Sequence, residues 1–283
     1  MLRQQWRLIR SGPLRGACNM ALDEALLESV AAGRSLPVLR LYGWAPPTVT
    51  LGYFQRAEST VNLESCRSLG IDVVRRITGG RAVLHHREVT YAVISPERSP
   101  LFPGGILENY RMIARVLQQT LDSFGLATIL APGRSRGSSD SGAQQSACFT
   151  APATHELLHA GCKVTGSAQK RQGDAFLQHG SIPVDLDPVC LFRALDIEHC
   201  ISPQAGGQLL AGSVGWLNRW LPQPVTIAEV EERLLACFTR GWDACLVEDL
   251  PTASEQERAA QLAVEKYDDP AWTLNRQGVD RKK

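Results

Sequence analysis

The stretch from Arg75 to Tyr91, RRITGGRAVLHHREVTY, reads as a strand, a glycine turn and a second strand. Arginines and histidines crowd a point where the backbone is free to approach a ligand. Gly79 and Gly80 can take positive φ values and present bare amides to a carbonyl or phosphate oxygen. By itself a glycine turn between strands is usually a hairpin. A second polar, glycine-containing segment lies downstream, Cys162 to Gly180, CKVTGSAQKRQGDAFLQHG. Two such segments in one apolar-cored chain point to one shared site.

The rest of the pattern surrounds these segments with strands and helices. PVLRLYGW, TVTLGYF, IDVVRR and VTYAVIS are alternating or β-rich runs and read as strands. Strands resume at HELLH, CKVTG and FLQHGSIPV. Asn19 looks like the N-cap of an amphipathic helix, MALDEALLESVAAG, that stops at Gly33. A short helix is expected over 60–69, closed by Gly70. Ile113, Leu117, Leu121 and Phe124 carry a helical period that ends at Gly125. Residues 131–146 are poor in apolar side chains and read as a mobile surface loop. Thr226 with Glu229, and Ser254 with Glu257, form capping-box patterns before helical runs. The expected architecture is α+β, one domain over 1–283, with a central sheet and a mainly helical portion from about residue 188.

Composition narrows the function classes. With 283 residues, 44% hydrophobic and 21% charged, the chain is long enough for one large core. A formal net charge of +1 supplies no basic field for nucleic acid. No apolar run is long enough for a membrane helix, and the arginine-containing N-terminus makes a poor signal peptide. A cytoplasmic location, with no membrane partner, is therefore expected. The eight cysteines show no CxxC pair, and no His/Cys cluster has metal-ligand spacing, so neither disulfides nor a metal is expected.

Several side chains could carry chemistry. Arg75, Arg76 and Arg81 could bind an anionic or carbonyl-bearing ligand, or be solvated strand ends. Lys163 could stand on a wet face, or project into a cleft and stabilise an oxyanion. Cys148 is by default a buried apolar residue. Beside a lysine or histidine it becomes a competent acyl acceptor. His85 and His86, adjacent on a strand, should face opposite ways. His179 is either a proton carrier or a satisfied core histidine.

NMALDEALL, GYFQ, RRITGGRAVLHHREVTYAV, KVTGSAQKRQGDAFLQHGSI and VDLD, in that order, resemble the lipoate/octanoate arm of the biotin–lipoate ligase superfamily. The match spans roughly residues 6 to 195. Within it, Cys148-Phe149-Thr150-Ala151-Pro152 followed by Gly161-Cys162-Lys163-Val164-Thr165-Gly166-Ser167-Ala168-Gln169 is most similar to the cysteine octanoyltransferases of the LipM type. Other octanoyltransferases place their cysteine in a Pro-Cys-Gly context, which Cys190, in DPVCLFRAL, does not match. Relatives often carry Asp where this chain has His86.

The resemblance implies a biotin/lipoate ligase-like fold with a mixed, largely antiparallel sheet. It implies octanoyl transfer in lipoate biosynthesis, from octanoyl-acyl carrier protein through a Cys148 thioester. The acceptor would be a lysine of an apo lipoyl domain or of the glycine-cleavage H protein. Lys163 would be the carbonyl donor and neither ATP nor metal would be needed. Substrate contacts would come from Arg76, Thr78, Gly79, Gly80, Ala82, His85, Gly166, Ser167, Ala168, His179 and Gly180. His85 or His179 would help to deprotonate the incoming lysine. Arg75, Arg76, Arg81, Arg87, Lys170 and Arg171 would steer acidic protein substrates. An ATP-dependent lipoate–protein ligase and an octanoyl amidotransferase are the alternatives.

Overall fold

Along Glu88–Pro96, Val89, Tyr91 and Val93 join one apolar core while Ala92 and Ile94 join another. That period of two means a strand buried on both faces. The computed structural model describes residues 4–102, 105–131, 156–195 and 201–277. Its strands are β1 (Gln5–Leu14), β2 (Val38–Trp44), β3 (Thr48–Leu51), β4 (Asp72–Arg75), β5 (Val83–His85), β6 (Glu88–Pro96), β7 (Ile129–Leu130), β8 (Leu157–His159), β9 (Cys162–Lys163), β10 (Gly166–Gln172), β11 (Ala175–Pro183) and β12 (Cys245–Glu248). Its α-helices are α1 (Gly16–Ala31), α2 (Leu63–Ser68), α3 (Ile106–Asp122), α4 (Pro188–Leu195), α5 (Pro203–Ala211), α6 (Ile227–Trp242), α7 (Ala253–Leu262) and α8 (Pro270–Asn275).

Six strands form the main sheet in the order β10-β11-β6-β2-β1-β12. The β10–β11, β11–β6 and β6–β2 pairs are antiparallel, and β2–β1 and β1–β12 are parallel. The sheet is thus mixed and largely antiparallel, with helices on both faces. α3 and α6 cover one face through Ile113, Leu117, Leu234 and Phe238. α1 covers the other, with Leu26 and Leu27 fully buried. Each such leucine contributes roughly 1.5–3 kcal/mol of burial. Two three-stranded sheets, β4-β3-β5 and β7-β8-β9, flank it.

Four local expectations change. α1 is buried on nearly every side rather than amphipathic, because the small sheet and α7 enclose the surface opposite its main-sheet contacts. It begins at Gly16, where a Cβ would lie 2.7 Å from Thr48 Cγ2, and Asn19 is not its cap. The Asn19 side chain instead accepts from Arg40 and donates to the Leu14 and Gly43 carbonyls. The second C-terminal capping box is Thr252 with Glu255, since Glu255 is also fixed by two bonds from Arg7. Finally, β4 and β5 do not form a hairpin, because β3 lies between them, parallel to β4 and antiparallel to β5. The Gly79–Gly80 segment is therefore a crossover above the end of β3, tied down by Tyr53 N–H donating to the Thr78 carbonyl at 2.8 Å. The α2 termination at Gly70, with φ +66°, and the Thr226–Glu229 capping box follow the sequence reading.

Candidate active site

The crossover passes so close to β3 that a Cβ on Gly52 would meet the Gly80 carbonyl oxygen at 1.9 Å. Of the two turn glycines, Gly80 alone has positive φ, +90°. Arg76 holds the crossover from beneath. Its Nη2 donates to the Gly79 and Arg81 carbonyls at 2.8 and 2.7 Å. Nη1 donates to the Thr50 carbonyl at 3.0 Å and to Thr50 Oγ1 at 2.9 Å, and Nε donates to Thr78 Oγ1 at 3.1 Å.

Each threonine in turn meets a histidine. Thr50 Oγ1 lies 2.9 Å from His85 Nε2, and His85 Nδ1 lies 2.6 Å from Glu88 Oε1. Thr78 Oγ1 lies 2.7 Å from His179 Nε2, and His179 Nδ1 lies 2.9 Å from Asp23 Oδ2. An ionised carboxylate only accepts, and Asp23 is held ionised, so His179 Nδ1 carries the proton. Thr78 accepts from Arg76 Nε and gives its hydroxyl hydrogen to His179 Nε2, which burial keeps neutral, while Thr50 accepts from Arg76 Nη1 and shares a hydrogen bond with His85 Nε2. These proton positions follow from the partners. Two carboxylate–histidine–threonine relays thus converge on one arginine.

The buried charges are matched. Arg40 donates to Asp23 Oδ1 at 2.6 Å and Tyr42 OH donates to Asp23 Oδ2 at 2.9 Å. Burial alone would raise the Asp23 carboxyl, but Arg40 and His179 outweigh it and hold it below the ordinary range. Burial lowers the His179 imidazole, with Arg76 and His85 adding to it, against the opposing pull of Asp23. Burial raises the Tyr91 hydroxyl to about 12, so it remains a donor or acceptor beside Ser167 Oγ at 2.7 Å.

Lys163 approaches from the other side. Its backbone is pinned in both directions, N–H to the Ser213 carbonyl and C=O from Gly215 N–H, each at 2.8 Å. Its ammonium pairs with Glu156 and lies over Gly166, whose added Cβ would sit 3.6 Å from Nζ. The side chain is only 13% exposed, so it projects into a cleft rather than onto a wet face. That cleft is a cavity of about 140 Å³ with Met20, Tyr42, Trp44, Ala82, Val83 and Ala168 among its walls. Arg76, Gly80, His85, Gly166, Ser167, His179 and Gly180 also line it. A second cavity of about 310 Å³ meets the first at Lys163.

The sequence-predicted residues therefore assemble, with particular differences. Thr78 and Gly79 lie behind the cavity wall and brace Arg76 rather than facing the interior. His85 is buried and His86 exposed, as their alternation requires. Arg75 is removed from the steering group. It is fully buried and donates to the carbonyls of Gly52, Tyr53, Gln55, Trp272, Thr273 and Leu274, tying α8 to the small sheet. Arg76 leaves that group too, because it is buried within the crossover. Arg171 pairs with Glu97, Lys170 lies above the Tyr53 ring, and Arg87 is exposed. Cys148 and the 131–146 loop, beyond Ala131 itself, lie outside the described residues. Sequence reasoning missed Asp23, Thr50, Glu88 and Glu156. An acid in the apolar run of MALDEALL was the available signal for Asp23.

Among the described residues no group of three or more His, Cys, Asp or Glu side chains could hold a metal ion, and no helix is long and apolar enough to cross a membrane. Residues 15–239 match the family model of the lipoyl protein ligase A/B catalytic domain. The chain belongs to that family. An octanoyltransferase LipM of Carboxydothermus hydrogenoformans is 38% identical over 95% of this chain and 98% of its own length. Its counterpart from Kyrpidia tusciae is 40% identical over 96% and 100%. The bipartite lipoate protein ligase of Thermoplasma acidophilum superposes with a TM-score of 0.79 at 24% identity, covering 99% of this chain and all of that one. A lipoate-protein ligase A bound with ATP gives 0.77 at 23%, covering 96% and 99%. These structures establish the ligase-like α+β fold of this member of the family.

Proposed function

We propose that this chain is an octanoyltransferase of lipoate biosynthesis, working through a cysteine thioester without ATP or metal. The observation that carries the reading is the Lys163 ammonium at the end of a small, largely apolar cavity, in a chain related over nearly its whole length to octanoyltransferases named LipM. An acyl chain fits such walls, and each buried methylene contributes roughly 0.8 kcal/mol. Its carbonyl then lies beside a fixed cation, where developing negative charge is stabilised most.

In this account Cys148 attacks the thioester of octanoyl-acyl carrier protein, and the carrier leaves as its thiol. The lysine of an apo lipoyl domain or of the glycine-cleavage H protein then displaces the cysteine and forms an amide. Lys163 donates to the carbonyl oxygen in both tetrahedral states, held in place by Glu156 and by its doubly pinned backbone. Thioester to amide is downhill, so no nucleotide drives it. The setting is the cytoplasm. Arg81, Arg87, Lys170 and Arg171 remain as the group that steers acidic partners.

The test is to incubate the protein with octanoyl-acyl carrier protein and an apo lipoyl domain without ATP, and to measure octanoyl-lysine formation by mass. Modification is expected. Modification only when free octanoate and ATP are supplied would make the chain a ligase instead.

A further inference from the structure

In the proposed reaction the acyl chain occupies the smaller cavity, and the larger cavity shares the Lys163 wall with it. Val83, Lys163, Gly166 and Ser181 line both cavities. A group whose carbonyl lies at Lys163 with its acyl tail in the smaller cavity is therefore also reached from the larger one. We propose that the larger cavity is the channel through which the acceptor lysine side chain reaches the acyl carbonyl. This rests on the acyl-enzyme reading above.

Three observations carry it. The volumes, about 310 against 140 Å³, leave room for a second arm beyond the acyl chain. The wall of the larger cavity includes Val164, Leu186, Leu191 and Val214, apolar side chains suited to a four-methylene stem. Glu88, Asp185 and Asp187 line it as well, against Arg87 and a Lys163 whose charge is matched by Glu156. His86, which also lines the cavity, is exposed, and partial desolvation and then the Arg87 charge lower its imidazole. An acidic channel favours an entering ammonium and disfavours the anionic phosphodiester at the base of a carrier protein's prosthetic arm.

The transfer balances as follows. The ammonium passes the acidic lining and loses one proton to water at the inner end, beside the Lys163 charge, and the free amine adds to the thioester carbonyl. The C–S bond then breaks, a C–N amide remains, and the second nitrogen proton ends on the cysteine sulfur. One proton is released for each amide formed.

Because acylation and transfer can be timed separately, the assignment is testable on the intact protein. Leu186→Trp narrows the channel at a half-buried position, and Asp185→Asn removes one charge at constant shape. Acylation by octanoyl-acyl carrier protein and transfer from the isolated acyl-enzyme to an apo lipoyl domain are each followed by intact mass. The expected result is that the ratio of transfer to acylation rates falls about tenfold or more in Leu186→Trp. Asp185→Asn should mainly raise the KM for the acceptor. A Leu186→Trp acylation rate that falls in step with transfer would assign the channel to the donor's arm and overturn the proposal. Unchanged rates in both variants would place the cavity off the path. No adduct on the unaltered protein would remove the acyl-enzyme reading itself, and the proposal with it.

Discussion

Thr78 Oγ1 lies 2.7 Å from His179 Nε2, so the nitrogen that a general base would use is already accepting a hydrogen. His85 Nε2 is likewise occupied, by Thr50 Oγ1 at 2.9 Å. Both histidines suggested by sequence as candidate bases reach Arg76 through a threonine, so the expected role is to brace it. His85→Gln and His179→Gln should lower kcat without changing the shape of its pH profile. A limb near the ordinary histidine range, near 6.5, that disappears in either variant would show that histidine to be the base.

The Asp23–His179 pair also sets an acid-side stability limit. His179 is held neutral, below its unfolded value, so its contribution is complete above about pH 6.5 and is lost as pH falls toward the folded value. Asp23 is likewise depressed, and its contribution is lost at lower pH still, below the ordinary carboxylate range. Denaturant unfolding should show stability falling from pH 7 to 5, with a shallower fall over that window in His179→Gln. Identical slopes in the two proteins would contradict this.

Lys163→Met should slow acylation and transfer alike, by roughly 10²- to 10³-fold each, because one donor serves both tetrahedral states. Glu156→Gln leaves the ammonium in place and should cost less. A Lys163→Met effect confined to one half-reaction, read by rapid quench and intact mass, would remove the shared role.

Arg75→Met should destabilise the fold by about 3 kcal/mol or more, since it leaves six carbonyls without their charged donor. Urea unfolding measures this directly. A change below about 0.5 kcal/mol, typical of surface sites, would mean that the clamp contributes little.

Steering by Arg81, Arg87, Lys170 and Arg171 predicts that the second-order rate constant falls as salt rises, while the rate from pre-formed complexes holds. Equal second-order rates at low and high ionic strength would exclude it.

Much of this was legible in the sequence, for identifiable reasons. The turn termini, the strands β2, β6 and β11 and the α6 capping box depend on local chemistry, which a sequence displays. Lys163, Gly80 and His179, which line the cavity, were legible because each stands inside a dense polar motif. Asp23 and Glu156 were not, because their meaning lies in a partner. Asp23 meets His179 across 156 residues, and no local period reports that contact. The two arginines of RRITGG illustrate the same limit. Both looked like ligand-binding side chains, and only the insertion of β3 between β4 and β5 turns Arg75 into a clamp and leaves Arg76 supporting the crossover at the cavity wall.

The proposed reaction depends most on an octanoyl thioester at Cys148. Its most direct measurement is the intact mass of the purified protein and of Cys148→Ala after mixing with octanoyl-acyl carrier protein in the absence of ATP. The account predicts a hydroxylamine-labile octanoyl adduct on the unaltered protein alone. An adduct that persists in Cys148→Ala, or none on either protein, would contradict it.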